Sequence, residues 1–160
     1  MHSPLVTLSS MRRHAPRLWT IITSFLAVIT LQSCANDAWE DVPSTAYDFC
    51  MEYWPEYAIQ TYGNINGVQV VVIKGAATVY FDQASQWIKI DGNGGTLPPM
   101  LMWDQLPGPL YTYLEEIEAV RAVYVLARNA TSYDVTLSNQ TISYNVNTGE
   151  ITGSEVLPQP

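Results

Sequence analysis

The side chains able to do chemistry in this 160-residue sequence are few and unevenly placed: 2 histidines, 2 cysteines and 15 carboxylates against 7 Lys and Arg. Both histidines, His2 and His14, precede Cys34, so the chain from Cys34 onward has no imidazole and only one further thiol, Cys50. A Ser–His–Asp or Cys–His relay cannot be assembled from that inventory, and a zinc site, which draws on His and Cys, is not expected. No cofactor is expected either. Carboxylates remain. The densest group is Glu115, Glu116 and Glu118 at the end of an apolar-striped segment, where they oppose a helix dipole at about 0.3–1 kcal/mol each. That placement suits meeting a cation such as calcium or a basic partner surface; a solvated helix end is the plainer alternative. No spacing of carboxylates supports the paired acid and base of a glycosidase. The reading is therefore of a non-enzyme. Cys50 falls on an apolar helical stripe and reads as a small buried hydrophobe.

The other binding element is aromatic. Trp39, Trp54, Trp87 and Trp103 and all ten tyrosines follow Cys34. Most must pack in a core, but Trp and Tyr also dominate protein-binding hot spots. Trp87 and Tyr124 are the two expected on an exposed sheet face. Asn129-Ala130-Thr131 and Asn139-Gln140-Thr141 match the glycosylation pattern, yet read as ordinary turn asparagines.

The positioning elements start with an address. Arg12, Arg13 and Arg17 precede an apolar run from Leu18 to Leu31, followed by Gln32-Ser33-Cys34. A positive start, a run of about 7–15 apolar residues and a small residue at its end describe a secretory signal, and the run is short of the ~20 residues that span a membrane. Leu31-Gln32-Ser33-Cys34 resembles a bacterial lipobox, which implies cleavage between Ser33 and Cys34 and lipidation of Cys34. Three basic residues and no acidic one lie before Cys34, which leaves four basic against fifteen acidic residues, a net charge of −11. A nucleic-acid surface is excluded on that balance.

The rest reads as one unit written twice. After an acidic tether (34–41), Pro43 suits a helix start, and Ala46, Phe49, Cys50 and Tyr53 fall at i, i+3, i+4 and i+7. Pro55 stops that helix. Strand-like runs follow at Ile59–Tyr62, Val68–Ile73, Thr78–Phe81 and Trp87–Ile90, with turns at 63–67, 74–75 and 82–86. A glycine-rich segment (92–96) reads as a flexible joint. A second helix then carries Leu110, Tyr113, Leu114 and Ile117, with Pro107 and Pro109 before or in its first turn. It is followed by a strand from Ala119 to Ala127 and by alternating runs through Tyr133, Val135 and Leu137 and through Ile142, Tyr144 and Val146. Such alternation means antiparallel strands with one dry and one wet face. The fold class is α+β: two tandem helix-plus-antiparallel-meander repeats (42–91 and 97–153, then a tail, 154–160), helices packed on one face of the sheet. A unit of roughly 55 residues buries little core alone, so the two sheets are expected to join edge to edge or to share their helices.

Pro43, Phe49, Tyr53-Trp54-Pro55, Phe81-Asp82 and Trp87 in the first repeat, and Pro98, Tyr133-Asp134-Val135, Tyr144 and Gly149 in the second, resemble the repeats of the PepSY-like, β-lactamase-inhibitor-like proteins. Ser85-Gln86 stands where that pattern has a turn glycine, and Asn145 where it has an aspartate. The resemblance implies an α+β fold and a secreted or lipid-anchored protein in the envelope of a Gram-negative bacterium, periplasmic or at the cell surface. By analogy it also implies binding, or inhibition, of another protein. The alternative is a binder of small molecules or glycans that uses Trp and Tyr as stacking platforms.

Overall fold

The computed structural model describes residues 39–155; the signal, the lipobox with Ser33 and Cys34, and most of the acidic tether lie outside the described residues. The first helix, α1 (Ser44–Tyr53), starts after Pro43, whose φ of −53° is set by its ring, and buries Ala46, Cys50 and Tyr53. Four strands follow: β1 (Ile59–Ile65), β2 (Val68–Ile73), β3 (Ala77–Phe81) and β4 (Trp87–Asp91). Two short helices, α2 (Pro99–Gln105) and α3 (Gly108–Glu116), lead to β5 (Val125–Arg128), β6 (Ser132–Thr136), β7 (Gln140–Asn145) and β8 (Ile151–Glu155). All eight strands form one antiparallel sheet in sequence order. The two meanders meet edge to edge through Lys89↔Ala127, Ile90↔Leu126 and Asp91↔Val125.

One face of the sheet is dry. Val71, Ile73, Val79, Phe81, Trp87, Ile90, Leu126, Val135 and Ile142 form a single cluster with Ala46 and Cys50 of α1, Leu101 and Met102 of α2, and Leu110 and Leu114 of α3. Phe49 meets Phe81 edge to face, ring centroids 5.6 Å apart, which fixes α1 across the first meander. Among the described residues all three helices bury their stripes in this layer, so the architecture is the α+β arrangement of helices on one sheet face.

Turn chemistry sets the strand lengths. Asn66 and Gly67 adopt φ of 54° and 85°, the pair a two-residue hairpin needs, so the expected five-residue turn shrinks to two and β1 runs on to Ile65. At the β3–β4 turn, Asp82 Oδ1 accepts from the backbone N–H of Ala84 and of Gln86, both at 2.9 Å. Ser85, where the resembling family has glycine, sits at φ 58°. Asp82→Ala leaves two backbone donors without their acceptor and is expected to cost about 1–2 kcal/mol, read by urea unfolding, whereas Asp82→Asn retains most of the stability.

Four expectations need correcting. The segment 92–96 is an ordered turn, not a flexible joint: Gly92 N–H bonds the Tyr124 carbonyl at 2.9 Å and Gly95 N–H bonds the Gly92 carbonyl at 2.8 Å. Gly92 there serves a close backbone approach rather than looseness. The strand expected from Ala119 begins only at Val125, because the preceding backbone is spent elsewhere. Ala119 N–H closes the end of α3 on Leu114, and the Val123 carbonyl receives Leu97 N–H, each at 2.8 Å. The segment before α3 contains a separate helix, α2, whose seven residues are too short to show an i to i+7 stripe. Ile117 falls past the end of α3 and is 39% exposed rather than buried.

Candidate functional site

Of the two aromatic residues expected on the exposed sheet face, Trp87 is turned inward. Trp87 is buried, 3% exposed, in the helix-facing layer. The cause is a bulge: Phe81 pairs with Trp87 and Tyr80 with Lys89, so Ile88 is an extra residue between them. A strict period of two would put Trp87 and Lys89 on one face; the inserted residue sends Trp87 inward beside Ile90. Its indole N–H donates to Gln105 Oε1 at 2.7 Å, Gln105 Nε2 donates to Tyr53 Oη at 2.8 Å, and Tyr53 Oη donates to Asp104 Oδ2 at 3.3 Å. That chain ties β4 to α2 and α2 to α1. Burial, foremost, pushes the Tyr53 hydroxyl above its usual range. Arg128 stacks over the Trp87 ring, Cζ 4.3 Å from the centroid, while its Nε–H donates to the Trp87 carbonyl at 2.6 Å.

Tyr124 is half-buried and lies just before β5. Its backbone is a clip: the N–H bonds Thr136 and the carbonyl receives Gly92, both at 2.9 Å. Glu115 and Glu116 end α3 exposed, and Glu118 follows at φ 56°. Among the described residues no three His, Cys, Asp or Glu side chains converge as a metal-ligand group, so these carboxylates are not brought together as a cation site.

Cys50 is a free thiol with no exposed surface, and burial pushes its pKa up to about 12. An unfolded thiol ionises near about 8.5, so the thiolate is favoured only on unfolding. The resulting contribution to stability is complete below about pH 8.5 and is lost as the pH climbs toward 12. Two results are expected: a thiol reagent at mildly alkaline pH modifies native protein only at the rate of its opening, and Cys50→Ala flattens the decline of stability with rising pH.

What the sheet does expose is its other face. Register places Val68, Val70 and Val72 of β2 there, opposite Ile65, Gly63 and Thr61 of β1 and beside Thr78 and Tyr80 of β3. Ile65 is 65% exposed. The centre carries Tyr80, Lys89 and Asp91; Lys89 Nζ lies 5.4 Å from the Tyr80 ring centroid and 3.3 Å from Asp91 Oδ2. Beyond Val125 and Ala127 the surface turns polar: Asp134, Thr136, Thr141 and Ser143, with the Ser143 hydroxyl bonded to Asp134 at 2.5 Å. The face is therefore graded across eight strands, apolar and β-branched at one side, hydroxyl-rich and acidic at the other. Tyr80, which the sequence reading did not single out, is its central aromatic.

Asn129 and Asn139 sit in exposed turns. Asn129 Oδ1 accepts from the backbone N–H of Thr131 at 2.8 Å and of Ser132 at 3.0 Å, the turn role expected of it.

No protein-family model and no curated protein matches this sequence. Solved structures do. A candidate calcium-regulated periplasmic protein from Bacteroides thetaiotaomicron superposes with a TM-score of 0.59 at 16% identity, covering 71% of this chain and 92% of that one. A candidate periplasmic protein of unknown function from Bacteroides vulgatus gives a TM-score of 0.60 at 14% identity, with 72% and 93% covered. A candidate periplasmic protein of the DUF2874 family, also from Bacteroides vulgatus, gives a TM-score of 0.60 at 14% identity, with 74% and 93% covered. Likenesses at such identity establish a shared α+β fold along nearly the whole of each neighbour, and leave the activity of this chain to its own residues.

Proposed function

We propose that this protein is a non-enzymatic, lipid-anchored protein of the Gram-negative cell envelope, facing the periplasm or the cell surface, and that it binds another protein through the bare face of its sheet. The observation that carries the reading is that face: eight strands wide, free of helices among the described residues, and lined by Val70, Val72, Tyr80 and Lys89 rather than by a catalytic constellation. Binding is steric in this reading, with the apolar side supplying area and the Asp134–Ser143 side supplying hydrogen bonds. The PepSY-like assignment rests on the repeat motifs, and the periplasmic location is supported by the names given to the three structural neighbours. The Cys34 anchor rests on the lipobox.

Photo-crosslinking tests the face. A crosslinker at Tyr80 or Thr136, on the sheet, should yield one discrete adduct in envelope preparations, and the same group at Thr112, exposed on α3, should not. Equal adducts from both sides, or none from either, would overturn the reading. Cys34→Ser tests the anchor separately: incorporation of labelled lipid must disappear.

A second reading, glycan binding, has one observation of its own. Trp103 on α2 is 67% exposed and meets Tyr111 edge to face with centroids 5.1 Å apart, which holds the indole as a platform. Quenching of tryptophan fluorescence by a sugar, abolished by Trp103→Ala, would favour that reading over the first.

A further inference from the structure

On the helix side of the molecule, away from the bare face, a cleft of about 300 Å³ opens between α1 and the paired strands β4 and β5. Phe49 and Trp87 contribute aromatic surface, Asp48 and Glu52 stand on the α1 wall, and Arg128 and Gln105 line the remainder. The arginine is unusual in how little of it is engaged. One contact fixes its plane, the stacking on Trp87 at 4.3 Å, and one fixes its direction, the 2.6 Å bond from Nε to the Trp87 carbonyl. Its two Nη groups have no hydrogen-bond partner among the described residues. The one ion pair within 4.0 Å among those residues is Lys89–Asp91, so neither Asp48 nor Glu52 reaches the guanidinium.

A guanidinium held through Nε, with its remaining donors unspent, is arranged for a carboxylate. Asp48 and Glu52 lie one helical turn apart on the same side of α1, and no cation lies within 4.0 Å of either among the described residues. The Gln105 amide is not a free recognition group, because both its ends are bonded to Trp87 and Tyr53. The cleft thus presents one positive and two negative groups, separated, across an aromatic surface. A phosphate would meet the α1 carboxylates, a bare cation would meet Arg128, and an apolar ligand would engage none of the three charges. A molecule with an ammonium at one end and a carboxylate at the other pairs all of them. Two residues of extended chain span about 7 Å, and the volume is at the small end of ligand pockets. We propose that this cleft binds a dipeptide-sized zwitterion, its carboxylate on the Arg128 Nη groups and its ammonium between Asp48 and Glu52.

The probe is alanyl-alanine, with its N-acetyl and C-amide forms as controls, titrated into the folded protein while the indole N–H resonance of Trp87 is followed by NMR. The free dipeptide should shift that resonance saturably at millimolar concentration or below. Each blocked form should bind at least about tenfold more weakly, the loss of one charge-assisted contact. In Arg128→Gln the free and C-amide forms should bind alike; in the exposed double variant Asp48→Asn/Glu52→Gln, the free and N-acetyl forms should. The α1 variant keeps the test decisive if the arginine variant fails to fold. An unmoved Trp87 resonance at about 10 mM dipeptide, about tenfold above the millimolar binding expected, or equal binding of all three probes, would overturn the proposal.

Discussion

Trp87→Ala is expected to destabilise the protein by about 3–5 kcal/mol, the range for truncating a large buried aromatic, and urea unfolding is the measurement. The size follows from what the ring holds together. It fills the inner layer at 3% exposure, packs against Tyr133 with centroids 6.2 Å apart and lies beneath Arg128. Its N–H also starts the hydrogen-bond chain through Gln105 to Tyr53, so one truncation loosens α1 and α2 as well as β4. Trp87→Phe separates these contributions: it keeps most of the packing and leaves the Gln105 carbonyl without its donor, at about 1–2 kcal/mol. A Trp87 on the bare face would behave in the opposite way, with stability hardly changed. A cost below about 1 kcal/mol for the alanine variant would show that the bulge at Ile88 does not turn the ring inward.

That residue also shows where the sequence was legible and where it was not. Periodicity carried α1 and α3, because stripes such as Ala46–Cys50–Tyr53 and Leu110–Leu114 are dictated by the helix repeat and the burial that follows from it. It also carried β2, β6 and β7, and the side chains at Val135 and Ile142 face the core as alternation requires. Turn chemistry carried Asp82 and Asn129, whose short side chains can reach only local backbone donors. A bulge, by contrast, is one added residue with no composition of its own, so nothing in Trp87-Ile88-Lys89-Ile90 announces that Trp87 and Ile90 share a face. The glycines at 92–95 failed for a related reason: glycine permits both looseness and the closest backbone approach, and only tertiary structure decides which one is used.

The candidate sites divide along the same line. The bare face was foreseen in kind, since alternating strands must have a wet side, but its central aromatic, Tyr80, was not. The cleft beside Arg128 joins two helices, a turn and two strands, and no local pattern links Asp48 to Arg128, 80 residues further along the chain. Only the Asp48–Glu52 pair on α1 has a spacing to read; Gln105, Trp87 and Arg128 each come from a different element. For that reason an inventory of residue types bears on which chemistries the chain can supply, while the geometry was needed to find what it presents.

Gly92→Ala is expected to cost about 2–3 kcal/mol, a large penalty for one methyl group. The added Cβ would lie 2.2 Å from the Gly95 carbonyl oxygen and 3.1 Å from that of Tyr124. Both are backbone atoms and cannot swing aside as a side chain would. Relief requires opening the turn, and with it the bonds from Gly92 N–H to Tyr124 and from Gly95 N–H to Gly92. Those bonds join the end of β4 to the approach of β5, the seam at which the two meanders become one sheet, so the midpoint of thermal unfolding should fall by roughly 10 °C. Gly94→Ala is the control. Gly94 has a φ of 89° but open space around the missing Cβ, so alanine there meets backbone strain alone, about 1 kcal/mol. The ordering is the test: the glycine with the ordinary φ must be the costlier of the two. If Gly94→Ala proves the more damaging, close packing at the seam is not what holds the two halves in register.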